Sequence, residues 1–213
     1  MKAARRAIMK QEREAKNMTV GMLLATILLV LTFSGVLCGA WERLGIRQKR
    51  AAGWLLAMLL TLLLPAVSLG AWRGNLAGLL VTLAASCKLA GSIRPTRERV
   101  RVLLGGVMAG ASGTLLLLLS DGQTDAIWAG AILIGALSCF LGVSRRGMLL
   151  CSLTGVLVAQ GVSGVAGVFR TAEQPWTDAA LLSACVSTAL AEGIRCAAIA
   201  LLTPPGVKGG HRG

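Results

Sequence analysis

Seven long apolar segments, separated by short polar connections, constrain the fold of this sequence more than any other feature. They cover about residues 18–40, 53–70, 76–93, 102–120, 126–143, 148–168 and 179–202. Each segment has about 17 to 24 residues, close to the ~20 that an α-helix needs to cross a hydrocarbon core of about 30 Å. Inside such a core, only helices and closed barrels satisfy all their backbone hydrogen bonds. We therefore predict an all-α, polytopic transmembrane bundle of about seven helices, with a six-helix core that follows an N-terminal helix.

The composition agrees with a membrane location. Hydrophobic residues make up 55% of the 213 residues and charged residues only 15%, whereas soluble domains carry about 25% charged residues. Outside the apolar segments lie a basic N-terminal tail, residues 1–17, and a glycine-rich C-terminal tail, residues 203–213, which we expect to be flexible. Since no segment is long enough to form a separate soluble domain, any function belongs to the membrane helices or their connections.

The basic residues predict the orientation. The net charge is +13, and Lys and Arg concentrate in the first, third and fifth connections between the apolar segments. Because positively charged connections stay on the cytoplasmic side, we expect a multi-pass protein of the cell membrane with a cytoplasmic C-terminus. The same clusters suit a bilayer with anionic headgroups. A nucleic-acid partner is not expected, because no supporting motif or soluble basic module is present.

The N-terminal tail conflicts with that orientation. An odd number of spans places the N-terminus outside, although the tail carries six Lys and Arg residues. Three explanations are open: the tail is translocated, the first segment does not fully span, or translation starts at Met18 rather than at Met1. We favour the last.

Small residues predict close helix packing. Pairs of glycine four residues apart lie on one helical face and let two backbones approach each other. Three such pairs are predicted to pack helices, namely Gly35 with Gly39, Gly74 with Gly78, and Gly106 with Gly110. Gly135 and Gly142 are predicted packing glycines as well, as members of a stripe of small residues in the fifth segment. Contacts within the bundle are the first expectation, and self-association or binding of another membrane protein is the alternative.

Three polar residues within apolar segments form the candidate site. Glu192 and Arg195 are three residues apart in the last segment, so they share a helical face and should pair. Gln160 lies near the centre of the sixth segment and could hydrogen-bond to them. Two interpretations are open: a neutralising pair that holds the last helix in the bundle, or a midplane site for an ion, proton or substrate with Glu192 as the titrating group.

No motif predicts catalysis. The segments Gly110 to Gly113 and Gly161 to Gly164 resemble the G-x-S-G of rhomboid intramembrane proteases, in which a histidine activates the serine. Here the only histidine is His211 in the C-terminal tail, so the base is missing. The six cysteines contain no C-x-x-C pair, which argues against a zinc site. We therefore expect no enzyme, no cofactor and no metal.

Two functional hypotheses remain. The first is an accessory, assembly or scaffold component of the membrane that acts by contact, favoured because small-residue faces are many and intramembrane polar residues few. The second is a small-solute transporter, or the substrate-binding subunit of one, with a midplane site at Glu192, Arg195 and Gln160.

Overall fold

The computed structural model describes residues 20–62, 67–69, 72–74, 76–120, 124–142, 144–166 and 176–202. These residues form eight helices and one short antiparallel hairpin. The helices are α1 (Val20–Phe33), α2 (Cys38–Arg43), α3 (Gln48–Leu62), α4 (Leu76–Ser92), α5 (Thr96–Leu119), α6 (Thr124–Leu141), α7 (Arg145–Ala166) and α8 (Trp176–Leu202). The hairpin consists of β1 (Val67–Leu69) and β2 (Trp72–Gly74). The all-α prediction is confirmed. The two predicted tails lie outside the described residues.

Three of the helices are long and apolar enough to cross a membrane. These spans are Thr96–Leu119, Arg145–Ser163 and Asp178–Ile199, while Met22–Phe33, Leu76–Ser92 and Ala126–Leu141 are apolar but shorter. Large apolar side chains also lie on the outside of the bundle, such as Phe140 at 76% exposure and Met108 at 64%. Exposed apolar side chains of this size suit contact with lipid or with another apolar surface rather than with water.

The packed centre of the bundle is formed by α5, α6, α7 and α8. The most extensive contacts join α5 to α7 and α6 to α8. Leu117, Ile127, Ile134 and Val156 are almost fully buried among these helices. A smaller apolar cluster around Ala25, Leu55, Met58 and Leu181 joins α1 and α3 to α8. The C-terminal half is therefore the compact part, and α1, α3 and α4 pack around it.

Glycine allows α5 and α7 to approach closely. A Cβ atom on Gly110 would lie 2.5 Å from the Gly155 carbonyl oxygen, and one on Gly106 would lie 3.0 Å from the Cys151 oxygen. Gly106 and Gly110 thus face successive turns of α7, so the two helices run parallel. Gly135 similarly faces the Ser183 oxygen at 2.6 Å, and Gly142 faces Met148. These four predicted glycines lie at tight contacts within the bundle.

The other four predicted packing glycines do not form the two predicted pairs of helix-packing residues. Among the described residues, nothing lies within 4 Å of a Cβ built on Gly35 or Gly39, so neither glycine is at a tight helix contact there. Gly74 belongs to β2 while α4 begins at Leu76, so Gly74 and Gly78 do not share a helical face. Gly78 itself is buried in α4.

The first apolar segment is not one helix, in contrast to the prediction over residues 18–40. α1 ends at Phe33, and Gly35 adopts φ +80°, a left-handed conformation that ends helices. The chain then turns into the short α2. The Trp41 indole nitrogen donates to the Thr32 hydroxyl at 3.1 Å, and the Gln48 side chain donates to the Thr32 carbonyl. The residues of the turn are themselves apolar, which is why the hydropathy pattern does not show it.

The second predicted helix is also shifted along the sequence relative to the prediction over residues 53–70. The helix begins at Gln48 rather than at residue 53 and ends at Leu62, before the hairpin. The other five predicted segments correspond to α4 to α8, with shifts of a few residues at their ends.

Candidate functional site

Glu192 on α8 is paired with three arginines. Its Oε2 accepts from Arg43 Nη1 at 3.3 Å and lies 3.2 Å from Arg195 Nε, and its Oε1 lies 3.0 Å from Arg145 Nη2. The pairing of Glu192 with Arg195 follows from their spacing on one helix. Arg43 and Arg145 come from α2 and α7, so the cluster joins three helices.

The register of α7 and α8 places this cluster at one end of the bundle. Arg145 is the first residue of α7, and Arg43 is the last residue of α2. Farther along, the Ser152 and Ser183 hydroxyls are hydrogen-bonded at 2.7 Å, so α7 and α8 run antiparallel. Glu192 is therefore level with the ends of α2 and α7, instead of near the middle of the bundle as its place in the sequence suggested.

The electrostatics of the cluster suit a structural role. The four side chains are between 29% and 51% exposed, and ion pairs at such exposure contribute about 0.2 to 1 kcal/mol each. One carboxylate faces three guanidinium groups, which leaves two positive charges in excess. The cluster fixes α8 against α2 and α7 and makes this end of the bundle positive.

Gln160 does not join the cluster. It is buried, with 5% exposure, and lies on α7 beyond Ser152 as seen from Arg145. Along the bundle axis, Gln160 lies on one side of the contact between Ser152 and Ser183, and Glu192 lies on the other side. At about 1.5 Å per helical residue, they are roughly 25 Å apart along the bundle. The structure therefore does not bring Gln160, Glu192 and Arg195 together in one site.

Ser112 and Ser163, the serines of the two G-x-S-G segments, are bonded to their own helices. Ser112 Oγ donates to the Met108 oxygen at 3.0 Å, and Ser163 Oγ donates to the Gln160 oxygen at 3.1 Å. Such back-bonding is the ordinary behaviour of a helical serine. His211 lies outside the described residues.

A cavity of about 600 Å³ lies beside the Glu192 cluster, in the space between α3, α4, α7 and α8. We call it the apolar chamber. Its walls are mainly apolar and include Trp54, Met58, Leu89, Leu153, Leu181 and Ala184. Three basic residues, Arg50, Lys88 and Arg146, also line it, all near the end of the bundle where α3 and α7 begin and α4 ends.

A polar cavity of about 410 Å³ adjoins the chamber. This polar vestibule is lined by Arg43, Arg94 and Arg145, which come from three different connections, and by Glu42 and Glu98. The two cavities share four lining residues, namely Leu44, Gly45, Ser92 and Arg146. The first, third and fifth connections therefore meet at one end of the bundle, and the chamber opens toward them.

Arg146 is held at the boundary between the two cavities. Its Nε donates to the Leu44 carbonyl oxygen at 2.9 Å and its Nη2 to the Gly45 oxygen at 3.3 Å. Gly45 has φ +66°, and a Cβ there would overlap the Arg146 guanidinium. Among the described residues, carbonyls hold this guanidinium and no carboxylate pairs with it, so its positive charge stays available at the chamber mouth.

Arg43, Arg145 and Arg146 were not predicted as site residues, because their charges were used only to predict the orientation in the membrane. Their positions in the connections could have indicated a shared site, since connections on the same side of a bundle lie close together in space. No family model, curated protein or solved structure matches this chain.

Proposed function

We propose that this chain is an integral membrane protein that acts by contact with another membrane protein, as an accessory, assembly or scaffold component. The observation that carries the proposal is the second half of α8. Ala179, Ala180 and Ser183 in its first half are buried, whereas every residue in 193–199 is exposed. Apart from Arg195, residues 193–199 are apolar or glycine, and an exposed helix surface of this kind favours coverage by another apolar surface.

The register explains why this part of α8 is uncovered. Glu192 pairs with the first residue of α7, so the residues that follow Glu192 extend beyond the end of α7. The helix continues to Leu202, a further length of about 15 Å at 1.5 Å per residue. Ile194 and Ile199 are 50% and 52% exposed there. We call residues 193–202 the α8 extension and propose it as the contact segment.

The basic end of the bundle, and with it the α8 extension, is proposed to face the cytoplasm. The supporting observation is that Arg43, Arg94 and Arg145 meet around one vestibule, and positive connections remain on the cytoplasmic side. A green fluorescent protein fused to the C-terminus should fluoresce in cells. A dark fusion with normal membrane levels would contradict this orientation.

Site-specific photo-crosslinking in cells tests the contact proposal. A photoreactive amino acid at Ile194 or Ile199 should give a discrete protein adduct, either with a second copy or with one other membrane protein. The matched control is Met108, which is 64% exposed on the outer surface of α5 and should react mainly with lipid. Adducts at Ile194 and Ile199 that match the Met108 pattern would refute the proposal.

We do not propose solute transport. The predicted midplane site required Glu192 and Gln160 to lie together, and they lie roughly 25 Å apart on the helical rise. Glu192 is instead occupied by Arg43, Arg145 and Arg195. We also propose no catalytic role for Ser112 or Ser163.

A further inference from the structure

We propose that the apolar chamber and its mouth bind one anionic phospholipid from the leaflet that faces the basic end of the bundle. An acyl chain would occupy the chamber, and the phosphate would lie against Arg50, Lys88 and Arg146. The inference concerns a ligand rather than a protein partner, so it goes beyond the contact function proposed above.

The size and depth of the chamber suit an acyl chain. Its volume of about 600 Å³ is within the ~300 to 1,000 Å³ typical of ligand sites. Along α3 it extends from Arg50 to Met58, and along α7 from Arg146 to Leu153. Both lengths are roughly 10 to 12 Å at 1.5 Å per residue, within the ~15 Å hydrocarbon depth of one leaflet. The chamber thus reaches from one membrane surface toward the midplane.

The charge at the mouth suits a phosphate. Within the part of the chain that the structure describes, no ion pair is formed by Arg50, Lys88 or Arg146, whereas Arg43 and Arg145 share Glu192. Basic pockets between membrane helices on the cytoplasmic side bind the headgroups of anionic lipids. Three basic side chains beside an apolar cavity therefore match the two parts of one amphipathic anion.

The acidic residues of the region favour the chamber mouth over the vestibule. Glu42 and Glu98 line the vestibule but not the chamber, so a phosphate deep in the vestibule would meet two carboxylates. Arg146, at the boundary, is held in place by the Leu44 and Gly45 carbonyls. Its preformed position lowers the ordering cost of binding. Free phosphate could use the same charges but would leave the apolar walls uncovered.

Lipid titration of the delipidated, purified full-length chain tests the proposal. Phosphatidylglycerol should raise the unfolding temperature and appear at one molecule per chain in native mass spectrometry. Phosphatidylcholine with the same acyl chains, and inorganic phosphate alone, should do so much less. Equal effects of the two lipids, or a full effect of inorganic phosphate, would overturn the anionic-lipid assignment.

Charge variants locate the headgroup. In Arg50→Gln with Lys88→Gln, phosphatidylglycerol affinity should fall roughly 30-fold, since a basic side chain near the membrane surface contributes about a fivefold factor. The matched control is Lys49→Gln with Arg101→Gln, which removes two exposed positive charges outside the chamber lining. Equal losses in both double variants would refute the site.

A filling variant tests the chamber independently of charge. Ala184→Phe places a ring in the chamber and should abolish the bound lipid seen by mass spectrometry. Ala189→Phe, on an exposed position of the same helix, should retain it. If the charge variant does not fold, this pair decides the proposal, and a lipid retained by Ala184→Phe refutes it. The crosslinks at Ile194 and Ile199 do not depend on this lipid, so either proposal can fail alone.

Discussion

The Glu192 cluster supports a quantitative prediction for Glu192→Gln. The substitution keeps the side-chain volume but removes the carboxylate shared by Arg43, Arg145 and Arg195. Three ion pairs of about 0.2 to 1 kcal/mol each, discounted for their partial exposure, give a loss of about 0.5 to 2 kcal/mol. For a chain of this size, that corresponds to a decrease of roughly 1 to 8 °C in unfolding temperature.

Thermal unfolding of the purified protein in mild detergent measures this loss. The decrease should shrink at high salt, because partly exposed charges are screened. Among the arginine partners, Arg145→Gln should cost most, since Arg145 has the shortest contact, 3.0 Å, and the lowest exposure, 29%.

The matched control is Glu98→Gln, because Glu98 lines the vestibule but forms no ion pair among the described residues. It should change stability by less than about 0.5 kcal/mol. If Glu192→Gln were no less stable than Glu98→Gln, the structural role of the cluster would be refuted. A Glu192→Gln variant that keeps its stability but loses uptake of a solute would favour the transport hypothesis instead.

Two glycine substitutions test the packing. Gly110→Ala should destabilise the protein by about 1 to 3 kcal/mol in detergent unfolding, because its Cβ would lie 2.5 Å from the Gly155 oxygen. Gly161→Ala should stabilise the protein by about 0.5 to 1 kcal/mol, because no atom of the described residues lies within 4 Å of a Cβ built on Gly161. If Gly110→Ala were more stable than Gly161→Ala, the close approach of α5 to α7 would be contradicted. Gly45→Ala should cost about 1 to 2 kcal/mol or more by the same measurement, since φ is +66° and the Cβ overlaps Arg146. An unchanged stability would contradict that conformation.

Helices α4 to α8 were predictable because their signal is local. Each is a long apolar run bounded by charges or by turn residues, and the observed ends differ from the predicted ones by at most six residues, the largest difference being at the start of α5. The same reasoning failed for the first segment, where the break at Gly35 lies among apolar residues. Hydropathy indicates whether a segment favours an apolar or a polar environment. It does not indicate where the chain changes direction within an apolar segment.

The small-residue pattern was informative only in part. Gly106, Gly110 and Gly135 lie at close backbone contacts, whereas a Cβ built on Gly35 or Gly39 would meet no atom of the described residues within 4 Å. The four-residue spacing is a property of one helix. A packing contact also requires a second helix at that height and on that face.

The amino-acid sequence by itself determined that the fold is of the all-α class with long apolar segments, and that Glu192 pairs with Arg195. Both follow from composition and from spacing within one helix. Only the tertiary structure decided that Arg43 and Arg145 join that pair, that Gln160 lies far from it, and that a chamber opens toward the basic end. The physical reason is that the axial position of one helix against another depends on side-chain packing between distant residues. That position sets whether a charge lies at the middle of a bundle or at its end.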